Sequence, residues 1–395
     1  MKKLIIIFLI LVSIIGGVVL GLNMSKSEHK KNYNIVTYQN EMNAEINNKI
    51  DEEQKKELFS TYYNKANELL TNMTLEEKVG QMFFASYPSD SVNEEIKKHN
   101  PGGYILFGKD FKNETKESIL KKITSHQDNS KTKMFIGVDE EGGTVVRVSL
   151  YKAFRNTRFS SPQSLLKQGG LEKLLKDSNE KSKLLKSIGI NTNLTPVADI
   201  PTQTSSFIYE RSFGKKAGET AKYTEELIKT MNKDNMISAM KHFPGYGDNV
   251  DTHTGIALDK REYEEFKNND FKPFEAGIKA NGPMILVNHN IVNCMDEKLP
   301  ASLSKEVHDI LRDDLEFSGL VITDDLAMDA VKKYVENGEA AVQAVLAGND
   351  MIISSEFAKQ KAEVVKAVED GKISEDIINT AVKRILACKY AYGII

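Results

Sequence analysis

The 395-residue chain is 28% charged and 40% hydrophobic, the balance of a packed globular body. Its formal net charge of −3 leaves no overall basic field, which argues against a nucleic-acid partner. The two cysteines, Cys294 and Cys388, lack metal-ligand spacing and leave open either buried thiols or one disulfide.

The chain starts with Lys2 and Lys3 ahead of an uncharged apolar run from Leu4 to Leu22. At 1.5 Å per residue that run is roughly 28 Å long, close to the thickness of a hydrocarbon core. It ends in Gly-Leu-Asn-Met-Ser, without a small-residue cleavage site or a cysteine for lipid attachment. An uncleaved anchor over residues 1–22 is therefore expected in preference to a cleaved signal. The basic flank places the N-terminus inside and the body outside, so the protein is expected to be extracytoplasmic, membrane-anchored or secreted. Residues 23–60, rich in Lys, Glu and Asn, read as a polar spacer. Residues 61–395 read as one domain.

Within that domain short apolar runs alternate with amphipathic stretches. The runs are Gln81–Ser86, Tyr104–Gly108, Met134–Asp139, Asn193–Asp199, Ile237–His242, Met284–Asn288, Leu320–Asp324 and Met351–Ser354. Helical periodicity marks Leu171–Ser187, Glu219–Lys233, Lys305–Leu315, Gly338–Leu346 and Ser374–Tyr390. Strand and helix in alternation imply a parallel sheet, and eight strands suggest closure into a (β/α)8 TIM-type barrel. Several runs end in Asp, Lys or His: Asp139, Asp199, Lys241, His242, His289 and Asp324. In such barrels the C-terminal ends of the strands carry the site. No glycine loop of the Walker or dinucleotide kind is present.

Four segments carry candidate chemistry. KHFPGYGDNVDTHTG, Lys241 to Gly255, is a loop shaped by glycine and proline in which Asp251 and His253 stand two apart. A carboxylate beside an imidazole fixes its tautomer and holds its charged form, which suits proton transfer. VITDDLAMDA, Val321 to Ala330, delivers Asp324 and Asp325 to the rim. One of them fits a nucleophile and the other a helix N-cap. GVDEEGGTVVRV, Gly137 to Val148, offers Asp139 and Arg147, and ERSFG, Glu210 to Gly214, offers Arg211. Carboxylate and guanidinium groups bind hydroxyls and carboxylates well.

Taken together, VDEEGG, KHFPG and TDDLAM in this order and spacing resemble glycoside hydrolase family 3, in its β-N-acetylglucosaminidase branch, from about residue 65 onward. The resemblance implies an α/β barrel, no cofactor or metal, and a carbohydrate substrate containing N-acetylglucosamine. It implies Asp324 as nucleophile, His253 as acid/base with Asp251 as its dyad partner, and Asp139, Arg147, Arg211, Lys241 and His242 as substrate-binding residues. With no tryptophan in the chain, stacking on a sugar falls to Tyr, Phe or aliphatic surface.

Two features depart from the pattern. Tyr246 replaces the histidine of KHFPGHGD, Thr252 stands for a serine, and the stretch from Lys241 to His253 is one residue shorter. The chain also ends soon after the last expected barrel helix, which favours the Asp–His acid/base over the glutamate that β-glucosidases of the family take from a following domain. Rival expectations are substrate-assisted hydrolysis supported by Asp139 and Glu140, a phosphorylase or β-glucosidase, and a non-catalytic wall-binding protein.

Overall fold

A computed structural model describes residues 57–88, 91–250, 257–328, 331, 334 and 339–395. The expected anchor and nearly all of the expected spacer lie outside these residues, as do Asp251 and His253. Among the described residues no helix is long and apolar enough to cross a membrane. The body starts before residue 61: Phe59 is buried, and the Leu58 amide donates to Ser318 Oγ at 2.9 Å.

The strands are β1 (Phe83–Ser86), β2 (Gly103–Leu106), β3 (Phe135–Val138), β4 (Thr192–Asn193), β5 (Ile237–Phe243), β6 (Leu258–Asp259), β7 (Met284–Val287), β8 (Ile291–Val292), β9 (Leu320–Thr323) and β10 (Ile352–Ser354). Eight of them form one parallel sheet in the order β10-β1-β2-β3-β4-β5-β7-β9. A parallel bridge between Ile322 and Met351 joins the two edges and closes the barrel. β6 and β8 form a separate parallel pair that the apolar pattern did not announce. Both faces of the barrel strands are buried, as helices on the outside require, so the strands read as apolar runs without alternation.

All eight expected strands are present, with two informative differences. Gln81 ends the helix Leu75–Gln81 rather than starting β1. That helix begins with a reciprocal cap between Thr74 and Glu77. β4 is only two residues long: the Thr195 amide turns back to Asn193 O at 2.8 Å, and Pro196 has no N–H to donate. The extended chain still follows β5 through Ala239 N to Thr195 O at 3.1 Å and Lys241 N to Pro196 O at 3.0 Å.

The expected helices appear as Pro162–Ser187, Ala217–Lys233, Ala340–Ala347 and Glu375–Ala391. Lys305–Asp309 continues into a wider turn at Ile310–Asp314. The first of these breaks at Gly169–Gly170, where Gly170 takes φ +67°. Periodicity did not single out Val92–His99, Lys116–Asn129, Phe271–Lys279 or Phe357–Glu369. Both cysteines are free thiols, Cys294 exposed and Cys388 buried.

Candidate active site

A cavity of about 330 Å³ opens at the C-terminal ends of the barrel strands. Asp139, Arg147, Arg211, Lys241, His242 and Asp324 all line it. Six residues from four sequence segments are therefore brought to one place.

Their positions follow from local structure. Lys241 and His242 are neighbours in β5, and neighbours on a regular strand face opposite ways. The pairing with β7 shifts between Lys241 and Phe243. A shift of this kind re-aims side chains, and here both Lys241 and His242 line the cavity. Asp139 comes directly after β3 and Asp324 directly after β9. The Asp324 amide donates to Val287 O at 3.0 Å, tying it to β7.

Polar contacts knit the floor. Lys241 Nζ lies 2.7 Å from Asp139 Oδ1 and 2.7 Å from Glu141 Oε1. Arg211 holds Glu141 in a fork, Nε to Oε2 at 3.0 Å and Nη2 to Oε1 at 2.7 Å. The Lys241 and Glu141 side chains are only 3% and 2% exposed. Burial works against the charge on Glu141, but Lys241 and Arg211 overcome it and hold its carboxyl well below the usual range. Burial likewise opposes the Arg211 charge, and Glu141 outweighs it, so the guanidinium keeps its proton more firmly than in water. Arg147 Nη2 reaches Asp139 Oδ2 at 3.4 Å.

Asp199 organises the next layer. Its Oδ2 accepts from His242 Nδ1 at 2.7 Å and from the His242 amide at 3.1 Å, and its Oδ1 accepts from the Tyr246 amide at 2.8 Å. With the proton on Nδ1, His242 Nε2 is the acceptor that faces Arg211 Nη2 at 3.3 Å. Tyr246, the departure from the family pattern, is a buried wall of the cavity. Its ring meets His242 edge-on with centroids 5.0 Å apart, and Phe207 in the same way at 5.0 Å.

The two aspartates after β9 both line the cavity but make different contacts. Asp325 accepts from Ala327 N at 2.9 Å, Ser355 N at 3.2 Å and Ser355 Oγ at 2.7 Å. It is a turn and inter-loop brace, and the chain just after it forms a turn rather than the expected helix start. Asp324 Oδ1 accepts from the Asp325 amide at 2.8 Å.

The rival reading, with Asp139 and Glu140 as paired acids, does not fit the place of Glu140. Glu140 is fully buried, and its carboxylate accepts from the amides of Arg147, Val148 and Ser149 at 2.8, 2.7 and 3.2 Å and from the Ser149 hydroxyl. It shapes the loop that presents Arg147 and does not line the cavity. Sequence reasoning passed over Glu141 and the partnership of Asp199 with His242, and it met Tyr246 as a substitution in the loop, not as a wall of the cavity. The only signal for Glu141 was a second acid where one would suffice. Among the described residues no cluster of His, Cys, Asp and Glu is arranged to hold a metal.

Comparisons with known proteins bear on the family and the fold. The profile of "Glycosyl hydrolase family 3 N terminal domain" matches residues 74–388. Beta-hexosaminidase A of Pseudoalteromonas piscicida is 28% identical over 330 residues, which cover 75% of this chain and 54% of that protein. The Beta-hexosaminidase of Nitrosomonas eutropha is 30% identical over 268 residues, 64% of this chain and 73% of its own. A solved glycoside hydrolase family 3 beta-N-acetylglucosaminidase from a Paenibacillus species superposes with a TM-score of 0.77 at 30% identity, covering 82% of this chain and 63% of that one. The chain thus spans about half of the Pseudoalteromonas protein and under two thirds of the Paenibacillus one. The profile runs across most of the chain and takes in every strand of the barrel: this protein belongs to glycosyl hydrolase family 3.

Proposed function

We propose that the protein is a retaining exo-β-N-acetylglucosaminidase. The observation that carries this reading is the cavity in which Asp324 faces the Asp139, Lys241, Arg211 and His242 cluster at the barrel rim. The names of the relatives support it. Asp324, as the ionised carboxylate, attacks the anomeric carbon and forms a glycosyl ester. Protonated His253 gives its proton to the departing oxygen, and neutral His253 then takes one from the attacking water. Asp251 stabilises the imidazolium. Asp139, Lys241, Arg147, Arg211 and His242 hold the sugar hydroxyls with charge-assisted hydrogen bonds.

The natural substrate is terminal β-linked N-acetylglucosamine of peptidoglycan or a related surface glycan. This holds if residues 1–22 anchor the body outside the membrane, with 23–60 as spacer and 61–395 as the barrel. The apolar run behind Lys2 and Lys3 supports that topology. Deleting residues 1–22 moves the protein from the membrane fraction to the soluble one. Retention in the membrane fraction sinks the anchor.

The chemistry is tested with aryl β-N-acetylglucosaminide and aryl β-glucoside side by side, with and without phosphate. Turnover of the former to free sugar is expected. Asp324→Ala loses activity by at least roughly a thousandfold, and a 2-fluoro glycosyl donor labels Asp324. Near-normal activity of Asp324→Ala overturns the assignment. A sugar phosphate as product makes the protein a phosphorylase, and binding of muropeptides without turnover makes it a binding protein.

A further inference from the structure

Arg261 lies outside the cavity lining and in none of the motifs, yet its guanidinium meets the chain on both sides of the segment 251–256. Nη2 donates to Gly245 O at 3.1 Å, on the side that leaves β5. Nε and Nη2 grip Asp259 at 3.1 and 2.7 Å, on the side that returns through β6. Nη1 donates to Asp270 Oδ2 at 2.9 Å, and the group lies over the Phe266 ring with Cζ 4.2 Å from its centroid.

Close packing at the glycines supports the same reading. Gly245 takes φ +124°, and a Cβ there would stand 2.2 Å from Asp270 Oδ1. Gly247 takes φ +54°, and a Cβ there would stand 2.7 Å from Arg261 Cζ. The backbone is pressed onto the cluster at two points that only glycine permits. The cluster is itself tied to the barrel: β6 pairs with β8, and the Asn288 amide, just past β7, donates to Phe243 O at 2.9 Å. Two buried carboxylates on one guanidinium are a costly way to gain stability, because apolar side chains of similar size do as well or better. What such a cluster adds is geometry: it sets the separation of two backbone points.

We propose that Arg261, with Asp259 and Asp270, is a positioning cluster that fixes both ends of the loop carrying Asp251 and His253 and so sets how the acid/base meets the leaving group. The inference rests on the reading of His253 as acid/base. It makes Arg261 a positioning residue, since it acts through His253 and touches no substrate.

The test uses the full chain and aryl N-acetyl-β-glucosaminides whose leaving groups run from dinitrophenol, which needs no proton, to phenol, which does. Rates are compared as kcat/KM, which reports formation of the glycosyl-enzyme and not its hydrolysis; His253→Ala is the reference and should lose about a hundredfold or more on the phenyl substrate and little on the dinitrophenyl one. Arg261→Ala and the milder Arg261→Lys should show the same graded loss, about tenfold or more on the phenyl substrate and under about threefold on the dinitrophenyl one. Gly245→Ala, which leaves every charge in place, should reproduce the gradient, and it serves as the test if the Arg261 variants do not fold. An equal loss on all substrates, or no loss, in a folded variant overturns the positioning role while leaving His253 in place. Absence of a gradient in His253→Ala overturns the acid/base reading and this proposal with it.

Discussion

Two buried lysines at opposite ends of the barrel show what pairing does to charge. Lys241 at the C-terminal end touches two carboxylates at 2.7 Å, and one of these is shared with Arg211. Lys389, near the end of the helix Glu375–Ala391, lies at the N-terminal end, beside Gln81 ahead of β1 and Phe135 at the start of β3. Its Nζ donates to the Gln81 amide oxygen at 2.7 Å and lies 5.0 Å from the Phe135 ring centroid, with no carboxylate paired to it among the described residues. Burial pushes its ammonium down to about 7. The fold keeps a network of fixed charge where a polar ligand is expected, and a lysine whose charge is weakened by burial where only packing is needed.

The comparison breaks most visibly at Lys241. Lys241→Met leaves Glu141 and Asp139 short of a cation, so unfolding free energy should fall by about 3–5 kcal/mol, read by urea denaturation, with sugar binding lost as well. A variant as stable as the parent would show that the network is dispensable. Asp199→Asn comes next. It should cost about 1.5–3 kcal/mol through the His242 and Tyr246 bonds and lower kcat/KM by disturbing the His242 tautomer. Unchanged kinetics would separate Asp199 from the site.

Lys389→Met should have the opposite sign, leaving stability unchanged or raising it by about 1 kcal/mol. A loss above about 2 kcal/mol would show that the Gln81 contact outweighs the cost of burial. The smallest effect is in the pH slope. Unfolded, Lys389 holds its proton up to about pH 10.4, whereas folded it releases it near 7. In that window the unfolded chain binds more protons, so stability rises with pH. Asp270 acts the other way: burial pushes its carboxyl up to about 7, so its contribution falls as pH rises from about 4 to about 7. Denaturation between about pH 8 and about pH 10 lies above the Asp270 window; the neighbouring Cys388 thiol, pushed up by burial, acts against Lys389 there, and Lys389→Met should make the slope of stability against pH less positive. An unchanged slope would assign the titration elsewhere.

The sequence announced the parts of the molecule where one physical preference dominates. Barrel strands buried on both faces are apolar runs, and all eight stood out. Lys116–Asn129 did not, because its charged outer face hides the core positions Ile119 and Ile123. The rim residues were legible through motif order, and the six that fall within the described structure share one cavity. Glu141 and Arg261 were not legible, and Asp199 stood out only as a polar strand end, since each acts through partners brought in by the fold. Arg211 lies 70 positions from Glu141, and His242 lies 43 from Asp199. The resemblance singled out Asp324 over Asp325, but nothing in the spacing showed that Asp325 braces the neighbouring loop. That brace depends on Ser355, which β10 brings alongside.

That last contact bears on the making of the protein. β10 is the eighth barrel strand in chain order, and it pairs with β1, the first, while Ile322 and Met351 bridge its approach to β9. Asp325 is braced by Ser355, the residue just past β10. A ribosome-bound chain that has exposed everything through Asp325 still has an open sheet and an unbraced rim beside Asp324. A finished site therefore waits for the last strand to be made.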